Sequence, residues 1–329
     1  MGESLALQKD VSVYLYKEVC CVLTYQRNHF LYCALKRIRE QDKKIPIVVF
    51  SDRGDDNPEL RHVCGEFWAG VEIIPRHDYY GNSYATMEML RWAYGQQIGL
   101  VIVSEDDFMQ GPECLNWYRE THEMFTGIFC ACGWVFNRQA PISDDLMFAA
   151  WFYSPSYSVR REKLAQVIKH ANPLYYNSMR EYILSTFPDS LLHNKGNQEN
   201  TGFYEQDAVW QYCIEADKGQ VAWNGIAKGA HLGCSGYNRP TGPKFEGTLE
   251  ERIAQVESLI ADPYWRADLF TREVVEREIG YVLPKREFHY RVTLPGGWES
   301  DFRSELTLDR LPKRLNSVTL PPNAQISVL

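Results

Sequence analysis

No uninterrupted apolar run of 18 residues occurs in this 329-residue chain, so an ordinary membrane-spanning helix is not expected. The first ten residues, Met1 to Asp10, contain no apolar segment of signal-peptide length. A cytoplasmic location is therefore expected. Basic residues are in deficit, with 35 Lys and Arg against 43 Asp and Glu and a net charge of −8. A surface of that sign does not attract polyanions as a whole, and nucleic-acid contact would need a local basic patch. The chain also lacks a Gly-x-Gly-x-x-Gly turn after its first apolar run and any Gly-Lys-Ser/Thr loop. The two common backbone cradles for nucleotide phosphates are thereby excluded. The nine cysteines include no Cys-x-x-Cys pair, and Cys130-Ala131-Cys132 has the wrong spacing for a zinc site. Odd in number and mostly set in apolar segments, they read as small buried hydrophobes in a reducing compartment.

What is present is an ordinary globular composition, 45% apolar and 24% charged, long enough to bury a large core. Continuous apolar runs at Val19 to Thr24, Ile45 to Phe50, Val71 to Ile74 and Leu100 to Val103 predict strands buried on both faces. Between them, Phe30, Leu31, Ala34, Leu35 and Ile38 recur at helical spacing, and Met87, Leu90 and Tyr94 do the same within a helix from about Tyr84 to Tyr94. Such alternation predicts an α/β fold with a mostly parallel sheet flanked by helices, its strand ends converging on one crevice. Tyr25-Gln26-Arg27, Asp52 and Glu105-Asp106-Asp107 are expected to meet there.

The acidic triplet closes the Leu100 strand. Adjacent carboxylates repel unless solvated or joined to a cation, and their position at a strand end predicts a solvated mouth. They are either an acidic turn or a site for a hard divalent ion, Mg²⁺ or Mn²⁺, which binds through one or two carboxylates plus substrate phosphates. In the same way, Arg27 is either a helix-start arginine or a ligand contact, and Asp52 either a turn-forming acid or a ligand contact.

Strand, polar turn with an arginine, second strand ending in Ser51-Asp52, a helix carrying Arg91-Trp92-Ala93, then a strand ending in Glu105-Asp106-Asp107 resembles the GT-A fold of nucleotide-sugar glycosyltransferases. Within it the chain is most similar to the N-acetylglucosaminyltransferase I family, from about Val19 to Tyr237. The resemblance implies a UDP-sugar donor and a Mn²⁺ or Mg²⁺ ion held by Asp107, with Glu105 and Asp106 touching ribose and donor sugar. It further implies that Arg27 and Asp52 grip the uridine end, with Arg91 a weaker donor contact.

Later segments would supply the acceptor side. Gly127 to Val135 and Met147 to Tyr153 suit strands, and Val159 to His170 reads as an amphipathic helix. Asn172 to Thr201 reads as an irregular, mobile loop. Glu205 and Asp207 begin a helix that continues to Trp210. They serve either as helix N-terminal acids or, as the resemblance implies for Asp207 with Glu205 as substitute, as the general base of an inverting transfer. His231, within Lys228-Gly229-Ala230-His231-Leu232-Gly233, is either structural or a metal or diphosphate contact beside glycines that permit close approach. These boundaries give a catalytic domain over 11–240, with a donor half at 11–126 and an acceptor half at 127–240. A helical and extended appendage over 241–329 follows, with helices at Thr248 to Ile260 and Phe270 to Ile279 and a strand at Phe288 to Val292.

Three classes of function fit: a metal-dependent glycosyltransferase, a nucleotide-binding module without turnover, and a metal-dependent nucleotidyltransferase using Asp144-Asp145 as a second carboxylate cluster. A cytosolic glycosyltransferase needs a cytosolic hydroxyl. The acceptor expected first is a 5-hydroxymethylpyrimidine in DNA, flipped into a pocket, as a bacteriophage-type enzyme acting in host cytosol would use. Trp151, Phe152, Tyr153 and Tyr157 with Arg160, Arg161 and Lys163, and later Tyr237, Arg239 and Lys244, are the residues offered for it. A protein, glycan or small-molecule hydroxyl is the alternative acceptor.

Overall fold

The computed structural model describes residues 17–54, 57–67, 70–76, 81–134, 146–149, 152, 154–187, 206–224, 227–232, 244–261, 288–293, 299–304 and 325–328. Its amino-terminal part alternates β1 (Glu18–Thr24), α1 (Asn28–Gln41), β2 (Ile47–Asp52), α2 (Pro58–Glu66), β3 (Val71–Arg76), α3 (Asn82–Gly95) and β4 (Leu100–Glu105). Then follow β5 (Phe108–Gln110), α4 (Cys114–Met124), β6 (Cys130–Cys132), β7 (Leu146–Ala149), β8 (Ser156–Arg160) and α5 (Arg161–Ile168). The helices α6 (Pro173–Asn177), α7 (Met179–Thr186) and α8 (Gln206–Ala216), the strands β9 (Val221–Asn224) and β10 (Gly229–His231), and helix α9 (Leu249–Ala261) complete this part.

Eight strands form one sheet in the order β3-β2-β1-β4-β8-β6-β9-β7. The pairs β3–β2, β2–β1, β1–β4 and β6–β9 are parallel, whereas β8 runs antiparallel to β4 and β6, and β7 to β9. The fold is thus the α/β, mostly parallel sheet flanked by helices that the alternation predicts. Successive residues of a strand face opposite sides, and the core divides accordingly. Val19, Cys21, Val101 and Val103 pack with α3, α5 and α8 on one side, while Cys20, Val22 and Ile102 pack with α1, α2 and α4 on the other. The eight described cysteines are unpaired and buried.

Helix starts follow local chemistry. Asn57 caps α2, accepting from the Leu60 N–H at 2.9 Å with Pro58 in the first turn, and Asn172 caps α6, accepting from the Tyr175 N–H at 3.1 Å. Helix α9 lies along α1, with Val256 and Ile260 buried against Phe30 and Cys33 and Glu257 bonded to Lys36 and Arg37. Phe288–Thr293, Glu299–Ser304 and Gln325–Val328 (β11, β12 and β13) form a separate antiparallel sheet in the order β12-β11-β13.

Several expectations are corrected. Val159 and Arg160 belong to β8, and the helix starts at Arg161. Among the described residues, the run at Gly127 to Val135 yields a strand at Cys130–Cys132, shorter than expected, and the run at Met147 to Tyr153 a strand at Leu146–Ala149. The first half of the expected loop at Asn172 to Thr201 is helical, with Tyr175 fully buried. Residues 188–201, the expected helix at Phe270 to Ile279 and Asp144-Asp145 lie outside the described residues. Among the described residues no helix is long and apolar enough to cross a membrane.

Candidate functional site

The strand order reverses between β1 and β4, and the carboxyl ends of open α/β sheets are where ligands bind. Both strands end in polar residues there. Leu23 pairs with Glu105, and the Asp106 N–H donates to the Leu23 carbonyl at 3.0 Å, so the triplet turns across the end of β1. Asp106 points inward. Its carboxylate accepts from Thr24 Oγ1 at 2.7 Å and from Arg27, through Nε at 3.3 Å and through Nη2. Arg27 reaches on to Asp107 Oδ2, with Nη1 at 2.8 Å.

The other oxygen, Asp107 Oδ1, is buried and makes no hydrogen bond; it lies 3.4 Å from His231 Nε2. His231 arrives on β10, which pairs antiparallel with β5 just beyond the triplet, and the Leu232 N–H closes the pair on the Asp107 carbonyl at 2.9 Å. Gly229 makes that pairing possible, since a Cβ there would stand 2.5 Å from the Phe108 ring and 2.7 Å from the Met109 carbonyl. Glu105 completes the group, held by Asn82 Nδ2 at 3.0 Å from the first turn of α3 and 4.0 Å from His231 Nε2. One ligand atom each from Glu105, Asp107 and His231 falls within 4.8 Å of the others.

The acids are not a solvated mouth. Asp106 and Asp107 are 0% and 4% exposed, and their cation is Arg27, reached across the strand ends. Burial favours a neutral Asp107, but Arg27 and then His231 outweigh it and hold that carboxyl well below the usual range. Asp106 is pushed up to about 6 by burial, with Arg27 opposing and the Asp107 charge adding repulsion, so it remains ionised at neutral pH. Glu105 is raised by burial and by Asp107. Burial favours a neutral His231, yet the facing Asp107 and Glu105 charges raise it. Arg27 cancels one of three carboxylates, leaving net negative charge around an oxygen with an unused lone pair. That donor set fits a divalent cation.

Other predicted residues are placed differently. Arg27, expected at the uridine end, lies against the acids. Asp52 is buried and accepts from the Gly81 N–H at 2.9 Å, fixing the turn before α3, where Gly81 has a positive φ of 82°. Arg91 is not brought to the triplet; it pairs with Glu88 on the exposed side of α3. Asp207 sits half-buried in the first turn of α8, its charge felt by Tyr157 and Tyr175. Tyr175 donates to the Ser83 carbonyl at 3.1 Å, next to Asn82, so a tyrosine that feels the Asp207 charge is tied to the start of α3. Glu205 lies outside the described residues.

Sequence reasoning missed Thr24 and Asn82, which hold the acids. Only their positions, at the end of β1 and the start of α3, could have signalled them. It also missed an open cleft of about 420 Å³ lined by Gln26, Asn28, Arg53 and Asn57, on either side of Arg27. Gln26 and Arg53 bend the ends of β1 and β2 with φ of 55° and 53°, an uncommon conformation for residues with a Cβ.

No protein-family model matches the chain, and no curated protein matches it. Solved structures do. The mannosyltransferase PcManGT from Pyrobaculum calidifontis, in complex with GDP-Man and Mn²⁺, is 12% identical, with 77% of this chain and 83% of that chain covered at a TM-score of 0.41. Residues 1–349 of S. aureus TarS are 15% identical, with 47% of this chain and 48% of that chain covered at a TM-score of 0.36, so the match spans about half the length of that structure. A cytidylyltransferase from Leptospira borgpetersenii is 9% identical, covering 50% of this chain and 73% of that chain at a TM-score of 0.32. Likenesses at these values carry no argument about activity, which rests on the residues of the site.

Proposed function

We propose that the protein is a metal-dependent glycosyltransferase that moves a sugar from a UDP-sugar to a hydroxyl, with inversion. The observation that carries this reading is the convergence of Glu105, Asp107 and His231 at the switch point of an α/β sheet, beside Arg27 and an open polar cleft. Asp107 and His231, with Glu105, would hold Mn²⁺, which when bound offsets charge developing on the departing diphosphate. The cleft at Gln26, Asn28, Arg53 and Asn57 suits the nucleoside end, and Asp52 shapes its neighbouring turn through Gly81. Asp207 is the group assigned to take the acceptor proton. The tie of Tyr175, which feels the Asp207 charge, to the start of α3 supports that assignment.

A hydroxymethylated pyrimidine in DNA is one version of the acceptor. The described residues offered for it do not favour it: Phe152 and Tyr157 are core residues stacked around Trp210, Arg160 donates to the His122 carbonyl, Arg161 lies over Tyr94, and Lys163 pairs with Asp217. Trp151, Tyr153, Tyr237 and Arg239 lie outside the described residues. A nucleotidyltransferase of two-metal type would need a second acidic cluster, and among the described residues the Glu105, Asp107 and His231 group is the only one.

The test is UDP release from a panel of UDP-sugars with and without Mn²⁺, read beside pyrophosphate release from nucleoside triphosphates and sugar phosphates. Metal-dependent UDP release is expected. Pyrophosphate release alone would transfer the site to nucleotidyl transfer, and neither product would leave only binding. Duplexes containing hydroxymethylcytosine or hydroxymethyluracil, added to the same assay and read by nucleoside mass spectrometry, decide the DNA acceptor.

A further inference from the structure

Asp106 is the most enclosed acid of the triplet, and both its oxygens are engaged by Thr24 and Arg27. It has no oxygen to spare for a ligand. Arg27 forms the bidentate pair with Asp106 that gives a guanidinium a fixed orientation. Its remaining arm, Nη1, rests on Asp107 Oδ2, the carboxylate whose other oxygen faces Glu105 and His231. A buried carboxylate cluster without a cation is costly, and Arg27 supplies the charge that a divalent ion would otherwise bring. A metal on Oδ1 would draw charge away from Oδ2, so metal and Arg27 weaken one another's hold on Asp107 from its two oxygens. With the metal in place, the freed arm of a guanidinium still anchored to Asp106 becomes a donor aimed at whatever anion the metal carries.

Resting on the metal-site reading above, we infer that Arg27 is the internal counter-ion of the metal-free site, positioned by Asp106 and Thr24, and that it transfers its Asp107-bound arm to the donor's diphosphate when the metal binds. Asp106 and Thr24 are positioning residues, and the donor contact is made by Arg27.

This assignment predicts effects of opposite sign from one substitution. In Arg27→Met, Mn²⁺ binding to the nucleotide-free protein, followed by the EPR signal of free Mn²⁺, should tighten about tenfold, because a positive charge beside the metal position has gone. Binding of UDP in saturating Mn²⁺, followed by calorimetry, should weaken about tenfold or more, the scale of a lost charge-assisted hydrogen bond. Arg27→Lys should restore part of the UDP affinity without the fixed geometry. A residue that only supports the fold would weaken both. Weaker Mn²⁺ binding in folded Arg27→Met, or unchanged UDP affinity, overturns the inference. Should Arg27→Met fail to fold by circular dichroism, Thr24→Val serves instead. It loosens the anchor and should lower UDP affinity several-fold while Mn²⁺ affinity stays within twofold; unchanged UDP affinity there rejects the positioning role. Asp107→Ala is the control for the metal site itself. If it binds Mn²⁺ like the native protein, the metal-site reading fails, whatever Arg27 does.

Discussion

The two halves of the large sheet handle buried polarity in opposite ways. In the parallel half, β3-β2-β1-β4, strand interiors are apolar and polar side chains gather at the carboxyl ends: Thr24, Ser51, Asp52, Ser104, Asp106 and Asp107. In the mixed half they sit inside the sheet and satisfy one another. Ser156 bonds to Tyr118 at 2.8 Å, and Ser158 lies 3.0 Å from His122 Nε2. The same chemistry therefore lines the proposed ligand site on one side of β4 and serves architecture on the other. Variants on the first side should change activity with little loss of stability, and groups on the second should do the reverse.

The largest expected effect is that of Asp107→Ala. Loss of the central ligand should lower metal-dependent turnover by about 10³-fold or more, since metal stabilisation amounts to several kcal/mol. The melting temperature should fall only modestly: the stabilisation that Arg27 and His231 give the Asp107 carboxylate is lost, but Arg27 keeps Asp106 as partner. A large drop in melting temperature would erase the contrast between the halves. Next, Asp207→Asn should lower turnover by about 10²–10⁴-fold with UDP affinity unchanged. Near-native turnover in that variant would remove Asp207 from the chemistry.

On the architectural side, burial brings His122 down to about 4 despite its hydrogen bond to Ser158. The unfolded ring takes its proton below about 6.5, so between these values the unfolded state binds more protons and stability rises with pH. The contribution is complete above about 6.5 and is lost as pH falls toward 4, amounting to about 2 kcal/mol between pH 7 and 5. Urea midpoints at the two pH values should show the fall, and His122→Gln should reduce it. An unchanged slope in that variant would place the titration elsewhere, with His29 and His170, also brought down to about 4 by burial, as the alternatives. The smallest effect belongs to neither half. Glu257→Gln, which loosens the contact of α9 with Lys36 and Arg37, should cost under about 1 kcal/mol, since these partners are partly exposed. A cost of several kcal/mol in the same urea titration would show that α9 is integral to the main domain's stability.

The contrast also explains what could be read in advance. Strands β1, β2 and β4 announce themselves because both faces are apolar. Strand β8 does not: Ser156-Tyr157-Ser158-Val159-Arg160 alternates, but its serines are buried, and partners distant in sequence, Tyr118 and His122 of α4 and the Val103 carbonyl, make that tolerable. Reading Val159 as the start of a helix follows from the apolar spacing of the helix that begins two residues later. The acids, like those serines, rely on distant partners. Their position at a strand end was legible, but their burial was not, because it depends on Arg27 lying across the neighbouring strand. His231 stood out by composition, whereas its approach to Asp107 depends on the β10–β5 pairing, a contact no local pattern encodes.

That pairing also sets an order in time. As the polypeptide leaves the ribosome, β1 through β4 can pair from contacts among themselves, and domains form from the amino-terminal side during synthesis. Residue 231 is made long after residue 107, and β10 must then return to lie against β5. A nascent chain halted before Gly229 would carry the acids and Arg27 without the imidazole. Mn²⁺ affinity of truncated nascent chains would therefore date the completion of the site to the emergence of a single short strand.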